Sequence, residues 1–291
     1  MDTARKVELE GLRSWIGRRE EACDILLPLH VAGLEALLDR ASTLPRDGEI
    51  APAGVHWLIR PHWVPQSALG ADGHPERGDF APPVPLPRRM WAGSRLDFTK
   101  PFRVGDTVTR QSEIVDVVVK EGRGGALVFV KVRRAYRARD GLAMTEEQDI
   151  AYRESPDPSR PPPTPEAAPP DGPWRRIVTP DPVMLFRYSA LSYNGHRIHY
   201  DHPYVTKVEG YPGLIVHGPL LATILLDLVR REAPGATLEH FAFRAMAPVF
   251  DTASFTVTGA PNADGRGAVV WIKRADGALA MRAEATFNTQ R

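Results

Sequence analysis

The densest group of side chains able to do chemistry lies in one short segment of the second half of the chain. Three of the nine histidines fall within seven residues there, His196, His199 and His202, beside Asn194 and Asp201. A histidine can take up or release a proton near neutral pH, and an amide can hold a water by hydrogen bonding. The segment therefore predicts general acid–base chemistry.

A helix predicted from Pro219 to about Arg231 follows this segment. Its residues are apolar on nearly every face, so it should be buried, and Pro219 suits the first helical position. The first N–H groups of a helix are unpaired and the helix dipole is positive there. Because Gly218 has no side chain, its N–H can meet a carbonyl oxygen that gains negative charge. Together with a nearby histidine, this predicts proton transfer or water addition beside a polarised carbonyl.

Composition excludes several classes of protein. The chain has 291 residues, with 37 basic and 36 acidic side chains and a net charge of +1, which is unfavourable for nucleic-acid binding. Its one cysteine, Cys23, excludes an intramolecular disulfide and a cysteine-based metal cage. No apolar run is long enough to span a membrane, and the charged N-terminus has no apolar signal core. We therefore expect a cytoplasmic protein without membrane partners.

Prolines divide the chain in the middle. Nine of the nineteen residues from 155 to 173 are proline, which cannot support a helix or an inner strand. The predicted organisation is an N-terminal domain at 1–154, an extended linker at 155–173 and a C-terminal domain at 174–291.

The two halves share one order of sequence features. Each has a strand, a glycine turn, a long strand, an Asp-Gly turn and a last strand that begins with Leu-Ala-Met, at Leu142–Met144 and at Leu279–Met281. Each half is also expected to carry a helix ahead of its strands, and Leu29–Leu38 is the candidate in the first half. This internal duplication predicts an α+β fold in which antiparallel sheet wraps a buried helix.

Two motifs of the second half carry a family resemblance. Asn194-Gly-His-Arg-Ile-His199-Tyr-Asp201, followed by Ile215-Val-His-Gly218-Pro-Leu-Leu, resembles the hydratase-2 motif of the MaoC-like hotdog family. Motifs of the first half are similar to the double-hotdog branch that contains itaconyl-CoA and mesaconyl-C4-CoA (3-methylfumaryl-CoA) hydratases and hydroxyacyl-thioester dehydratases of type 2. They are Pro83–Gly93, Arg103-Val-Gly-Asp106 and Glu146-Glu-Gln-Asp149.

The resemblance implies a double hotdog, in which two hotdog domains each wrap an antiparallel sheet around a central helix. It implies a carbon–oxygen lyase that hydrates or dehydrates an acyl-CoA thioester. The implied substrate is a short branched dicarboxylic enoyl-CoA, as in itaconate degradation, with no cofactor. The first half has no counterpart of residues 194–201, so it would complete the sheet and wall the acyl pocket. Pairing into a homodimer stays open.

The family motif also assigns roles to residues. The family histidine falls on His199, and the glycine whose N–H holds the thioester oxygen falls on Gly218. The position of the family's catalytic aspartate holds Asn194, and an amide cannot act as a general base. His199 would therefore take the proton from a water that Asn194 holds.

Other polar residues are weaker candidates. Arg88, Arg89 and Arg244 could meet CoA phosphates or a substrate carboxylate, because a guanidinium binds both through two parallel hydrogen bonds. Asp201 is expected to orient the local backbone or His199 near the substrate. His217 is expected to cap or brace the loop before the helix.

No metal is expected. The spacing of His196, His199, Asp201 and His202 permits metal binding, but the usual HExxH helix pattern and supporting cysteines are absent. The stretch Asp72-Gly73-His74-Pro75 is interpreted as a turn, and Trp57, Trp63 and Trp91 as packing residues.

Two other functions fit the same features. A hotdog acyl-CoA thioesterase would also place a carbonyl at the helix start, but it would release free CoA. A non-catalytic module that binds acyl thioesters would fit the missing aspartate, and it would bind CoA esters without turnover.

Overall fold

The computed structural model describes residues 8–41, 43–59, 63–122, 125–155 and 164–288. The strands are β1 (Arg19–Ile25), β2 (Arg88–Phe98), β3 (Thr107–Gly122), β4 (Gly125–Ala138), β5 (Gly141–Arg153), β6 (Trp174–Val178), β7 (Thr237–Ala245), β8 (Phe255–Pro261), β9 (Gly267–Lys273) and β10 (Leu279–Asn288). Four α-helices have both ends within the described residues: α1 (Pro28–Leu37), α2 (Pro182–Ser192), α3 (His202–Lys207) and α4 (Gly218–Glu232). Short 3-10 helices lie at Leu12–Trp15, Val55–Trp57, Gln66–Ala68 and Arg197–His199.

The ten strands form one antiparallel sheet that shows the predicted duplication. The strand order is β1-β3-β4-β5-β2-β7-β10-β9-β8-β6, so the second half repeats the order of the first in the opposite direction. The two half-sheets meet where β2 pairs with β7. An approximate twofold axis therefore relates the halves and passes between these two strands.

The duplication extends to single hydrogen bonds. Thr99 N donates to Ala143 O in the first half and Met246 N donates to Ala280 O in the second, both at 2.8 Å. Both acceptors are the alanines of the Leu-Ala-Met motifs. The equivalence of these motifs, predicted from the sequence, is confirmed.

The central helix is α4, which confirms the helix predicted over 219–231. Every residue from Leu220 to Val229 is buried, and the helix packs on strands of the second half, β6, β8, β9 and β10. Its burial on all sides is the reason for its apolar sequence. No described helix is both long and apolar enough to cross a membrane.

The first half differs from the second at the place of this helix. Its helix, α1, follows the outer strand β1 as α2 follows β6, and each ends near a left-handed residue, Asp39 or Tyr193. The predicted helix at Leu29–Leu38 is thus present, but it is the counterpart of α2. Where α4 stands in the second half, the described part of the first half has an irregular segment. Gly54, with φ of 94°, interrupts regular helix geometry there.

Residues 156–163 of the predicted linker lie outside the described residues. The described remainder runs along the second half, where Ala168 N donates to Gly277 O at 2.9 Å and Gly172 N donates to Thr258 Oγ1 at 2.9 Å. The domain boundaries at 154 and 174 stay a prediction.

A buried carboxylate joins α4 to both halves. Asp227 accepts hydrogen bonds from Arg40 of the first half and from Arg176 and Arg231 of the second, at 2.7 to 3.1 Å. A carboxylate this deeply buried is tolerated because several charged donors surround it.

We expect the β2–β7 pairing to tolerate no side chain at Gly93. A Cβ added at Gly93 would overlap the carbonyl oxygen of Phe243, which is backbone and cannot turn aside. Gly93→Ala should lower the free energy of unfolding in urea by about 1–3 kcal/mol. The matched control is Gly235→Ala, where an added Cβ meets no atom within 4 Å. Equal unfolding midpoints for the two variants would contradict this expectation.

Candidate active site

The polar segment forms a compact loop between α2 and α3. The loop closes on itself through Asp201, whose Oδ1 accepts from Tyr204 N at 3.0 Å and caps α3. Its Oδ2 accepts from Arg197 Nη2 at 2.8 Å. Both oxygens of Asp201 are therefore engaged within the loop, where they fix its backbone.

His199 lies beside the first turn of α4. Its side chain is buried, and Nδ1–H donates to Ile215 O at 2.6 Å, so Nε2 carries the free electron pair. Its ring stacks on His217, with centroids 3.6 Å apart and 19° between the planes. Because His217 directly precedes Gly218, the structure brings the predicted base and the predicted oxyanion donor together.

Burial sets the charge state of His199. Loss of solvent lowers its pKa to about 4, and the hydrogen bond to Ile215 O only partly opposes this shift. Burial also lowers the pKa of His217 well below its ordinary value, with the charge of His199 as a second cause. At neutral pH both rings are uncharged, so His199 is available as a base.

His217 supports His199 from behind. It is the N-cap residue of α4, but its side chain makes no capping hydrogen bond. Instead Nε2 lies 2.8 Å from Ser189 Oγ of α2, and the buried Nδ1 has no partner among the described residues. Of the two roles expected for His217, capping or bracing, the contacts fit bracing.

The side chain of Asn194 is oriented by its own loop. Its Oδ1 accepts from His196 N at 3.0 Å, which leaves the amide N–H groups directed away from that bond. Asn194 can therefore donate hydrogen bonds to a bound water or substrate, but it cannot remove a proton from either.

A turn of the first half completes the site. Gly73 N donates to Gly70 O at 2.9 Å, which confirms the predicted turn. The turn packs on the loop between α2 and α3, because His74 lies 3.9 Å from His196 between ring centroids and Arg197 N donates to Asp72 O at 2.9 Å. The turn was predicted to have no role at the site, because nothing in its local sequence indicates a contact with a loop far along the chain.

The first half also contributes an aromatic wall. Trp91 of β2 lies over the start of α4, where a Cβ added at Gly218 would be 3.6 Å from its Cε3 atom. The indole is therefore in position to contact a ligand bound at Gly218.

The three candidate arginines have different surroundings. Arg88 is already engaged, since it donates to Tyr211 OH and to Glu209 O, both at 2.6 Å. Arg89 is half-buried and pairs through its backbone with Tyr152 of β5, but no hydrogen bond or ion pair joins its guanidinium to another described residue. Its charge is one of the influences that lower the pKa of His196. Arg244 is exposed on β7, and no hydrogen bond or ion pair joins its side chain to the loop between α2 and α3 within the described chain.

The four residues considered as metal ligands are not grouped as such. One set of three possible ligands does come together among the described residues, Asp72, His74 and His196, with ligand atoms within 4.8 Å of one another. Asp72 Oδ2 and His74 Nδ1 lie 3.2 Å apart and already form a hydrogen bond. The ring contact between His74 and His196 and the hydrogen bond from Arg197 N to Asp72 O tie the turn of the first half to the loop of the second.

Comparisons with known proteins match this arrangement to one family. The family described as hydroxyacyl-thioester dehydratase type 2 matches residues 54–251. The chain belongs to this family. It is therefore an enzyme of the hydratase and dehydratase class, a carbon–oxygen lyase.

Two curated relatives of this dehydratase-family chain support the assignment. Mesaconyl-C(4)-CoA hydratase of Chloroflexus aurantiacus is 44% identical over 86% of the chain and 89% of the relative. Mitochondrial hydroxyacyl-thioester dehydratase type 2 of Schizosaccharomyces pombe is 28% identical over 68% of the chain and 73% of the relative.

Solved structures confirm the fold. A MaoC-like dehydratase from Phytophthora capsici covers 97% of this chain and 99% of its own, with a TM-score of 0.68 and 13% identity. A Mycobacterium tuberculosis protein described as a double hotdog covers 94% of this chain and 96% of its own, with a TM-score of 0.57 and 16% identity. The family enzyme therefore has the predicted double hotdog fold.

The tautomer and low pKa of His199 can be measured by nitrogen NMR, with the signal assigned from a His199→Asn variant. We expect a protonated Nδ1 and an unprotonated Nε2 down to about pH 4. In the unfolded chain the pKa of this ring is near 6.5, so as the pH falls the unfolded state takes up the proton at a higher pH than the folded state does. Stability should therefore drop by about 1.4 kcal/mol per pH unit from this ring between the two values. A folded protein in which His199 titrates near pH 6.5 would show that the burial argument is wrong.

Proposed function

We propose that the chain adds water across the double bond conjugated to a CoA thioester, and catalyses the reverse dehydration. The observation that carries this proposal is the His199 ring, with Nε2 free, stacked on the residue that precedes Gly218. A base and an oxyanion donor at neighbouring positions suit a reaction that moves a proton while a carbonyl oxygen gains charge.

In the proposed mechanism, Asn194 donates a hydrogen bond that holds a water near His199. Nε2 of His199 takes a proton from this water, and the hydroxide oxygen bonds to the β-carbon. The electrons of the double bond move to the thioester oxygen, where Gly218 N–H stabilises the enolate. The imidazolium then returns its proton to the α-carbon, so the net change is the addition of one water.

The low pKa of His199 fits this sequence of events. An imidazolium in a buried site is costly in free energy when it stands alone. During the addition, the negative enolate forms beside it and offsets that cost. The base is therefore neutral before the reaction and charged only while the enolate is present.

Replacing His199 tests the base. We expect His199→Ala to lower kcat for hydration by about 10²–10⁴-fold, because general acid–base catalysis typically contributes that much. The matched control is His202→Ala, which removes an exposed histidine three residues further along, at the first position of α3. Hydration is measured as the gain in mass of one water. Near-normal turnover by the His199 variant would remove this residue from the mechanism.

The proposed substrate is a short branched dicarboxylic enoyl-CoA, such as mesaconyl-C4-CoA or itaconyl-CoA, with citramalyl-CoA as the product. The relative that is 44% identical is named for mesaconyl-C(4)-CoA, which supports this substrate class. Arg89 supports it independently, because a half-buried guanidinium without a described partner, near His196, suits a second carboxylate.

Substrate pairs that differ in one carboxylate test Arg89. We expect Arg89→Met to lower kcat/KM for mesaconyl-C4-CoA by about 10–100-fold, since a hydrogen bond to a charged group contributes about 1.5–3 kcal/mol. The value for crotonyl-CoA, which lacks the second carboxylate, should change by much less. Equal losses for both esters would assign Arg89 to the CoA moiety or to folding.

The remaining expectations belong to the same proposal. The enzyme would act in the cytoplasm on a small-molecule substrate without a cofactor, and it could pair as a homodimer. Arg88 and Asp201 would support the substrate-binding surface indirectly, and Arg244 would have to meet the CoA outside the pocket. Release of free CoA with an unchanged double bond would instead favour a thioesterase, and binding without turnover would favour a non-catalytic module.

A further inference from the structure

A cavity of about 940 Å³ lies away from the catalytic loop, at the far end of α4. Its walls come from both halves and contain none of the predicted site residues. The lining includes Ala53, His56, Ala236, Leu238 and His240. The volume is in the range of pockets that hold small ligands, roughly 300–1,000 Å³. The proposed mechanism makes no use of this space.

The twofold symmetry of the sheet relates this cavity to the active site. In the β2–β7 pairing, Gly93 lies opposite Arg244 and Asp97 lies opposite His240. The middle one of the five pairs is Arg95 opposite Ala242. A twofold axis through this pair exchanges its two members, and it therefore makes Gly93, two residues before Arg95, equivalent to His240, two residues before Ala242. The same bulge occurs next to both residues, because Ala92 is the extra residue on β2.

On β7, the corresponding extra residue is Glu239, between two residues that pair with β10. Trp91 stands two positions before Gly93, and Leu238 stands two positions before its equivalent, His240. Leu238 therefore occupies in the second half the place that Trp91 occupies in the first. Likewise Ala236 is equivalent to Arg89. The aromatic wall and the candidate arginine of the active site thus have small apolar counterparts that line the cavity.

The start of the central helix has a counterpart at the cavity as well. Val216 N donates to Val249 O before α4, and Ala51 N donates to Phe102 O in the first half, both at 2.9 Å. The residue two positions after Val216 is Gly218, and the residue two positions after Ala51 is Ala53, which lines the cavity. The cavity is therefore symmetry-related to the active site, with Ala53 in place of Gly218, Leu238 in place of Trp91 and Ala236 in place of Arg89.

Two indoles separate the working site from this copy. Trp91, which lies over Gly218, contacts Trp57 edge-on with ring centroids 5.4 Å apart. Trp57 follows His56, which lines the cavity, and both indoles pack against Phe243. The contacts form a continuous chain from the helix start through the two indoles to the cavity wall.

The indoles are held in place by a buried polar network. Trp91 Nε1 donates to Ser94 Oγ at 3.0 Å, and Ser94 Oγ donates to Glu146 Oε1 at 2.8 Å. Trp57 Nε1 donates to the same Glu146 oxygen at 3.3 Å, and Glu146 is fully buried. The Trp57 N–H donates to Glu146 directly, and the Trp91 N–H is linked to the same carboxylate through Ser94. Turning either indole away would therefore cost a hydrogen bond in this buried network.

We propose that Trp57 and Trp91 set the upper limit of acyl length in this enzyme, by closing the active site against the vacated second site. The inference rests on the proposed function for the identity of the ligand as an acyl-CoA. An acyl group with a few carbons ends at Trp91. A longer chain would need the space that the indoles fill, and beyond them the cavity is large enough to receive it.

Binding of saturated CoA esters tests the proposal without requiring turnover. The variant Trp91→Leu copies the residue found at the equivalent position of the second half, and Trp91→Ala and Trp57→Ala enlarge the opening further. By calorimetry, we expect affinity for octanoyl-CoA relative to butyryl-CoA to rise at least tenfold over the unsubstituted protein, since each added methylene in an apolar pocket discriminates by about 10–200-fold.

Filling the cavity provides the decisive comparison. Ala53→Phe, introduced behind Trp91→Leu, should remove the gain for octanoyl-CoA and leave butyryl-CoA binding unchanged. Trp15→Ala removes an indole from the separate cluster around Leu12 and should leave the ratio of affinities unchanged. An unchanged ratio in all three opened variants, while butyryl-CoA still binds, overturns the proposal. Absence of any acyl-CoA binding by the unsubstituted protein would instead refute the proposed function.

Discussion

The pairing of β2 with β7 is the contact on which the rest of the molecule depends. It joins two five-stranded half-sheets into one and sets the axis that relates them. It also carries Trp91 of the first half over Gly218 of the second, so the candidate site contains residues of both halves. Gly93 permits this approach because its missing side chain lets the carbonyl of Phe243 come close.

The chemistry at the site follows from how buried polar groups are satisfied. His199 has one nitrogen committed to Ile215 O, and this bond leaves the other nitrogen free with a defined orientation. Asn194 has its oxygen committed to His196 N, and this bond leaves only donors for a ligand. In each case a bond to the backbone determines which chemistry the side chain can offer. The change from aspartate to asparagine in the motif therefore leaves one base at the site.

The sequence was informative wherever the signal is local. The Asp-Gly turns, the long strands and the buried helix α4 occur where glycine, β-branched and apolar residues predict them. Strands β2 and β7 were not predicted, because their partners lie far along the chain and no turn between them marks the pairing. The motif predicted His199 and Gly218 as neighbours, but the turn at His74 reaches the site from the other half. Only tertiary structure brings it there. The equivalence of α1 with α2 could not be predicted either, because it follows from the outer position of β1 in the sheet.

Covalent linkage of the halves has a consequence for how such a site can change over generations. In a dimer of identical subunits, a tryptophan placed at one of two symmetry-related sites would appear at both. Every substitution would therefore change both sites at once. Here the position of Trp91 is leucine in the other half, and a glycine and an irregular segment replace one helix. In a single chain one copy can hold the site while the other contributes only its sheet, so the two copies can differ in sequence.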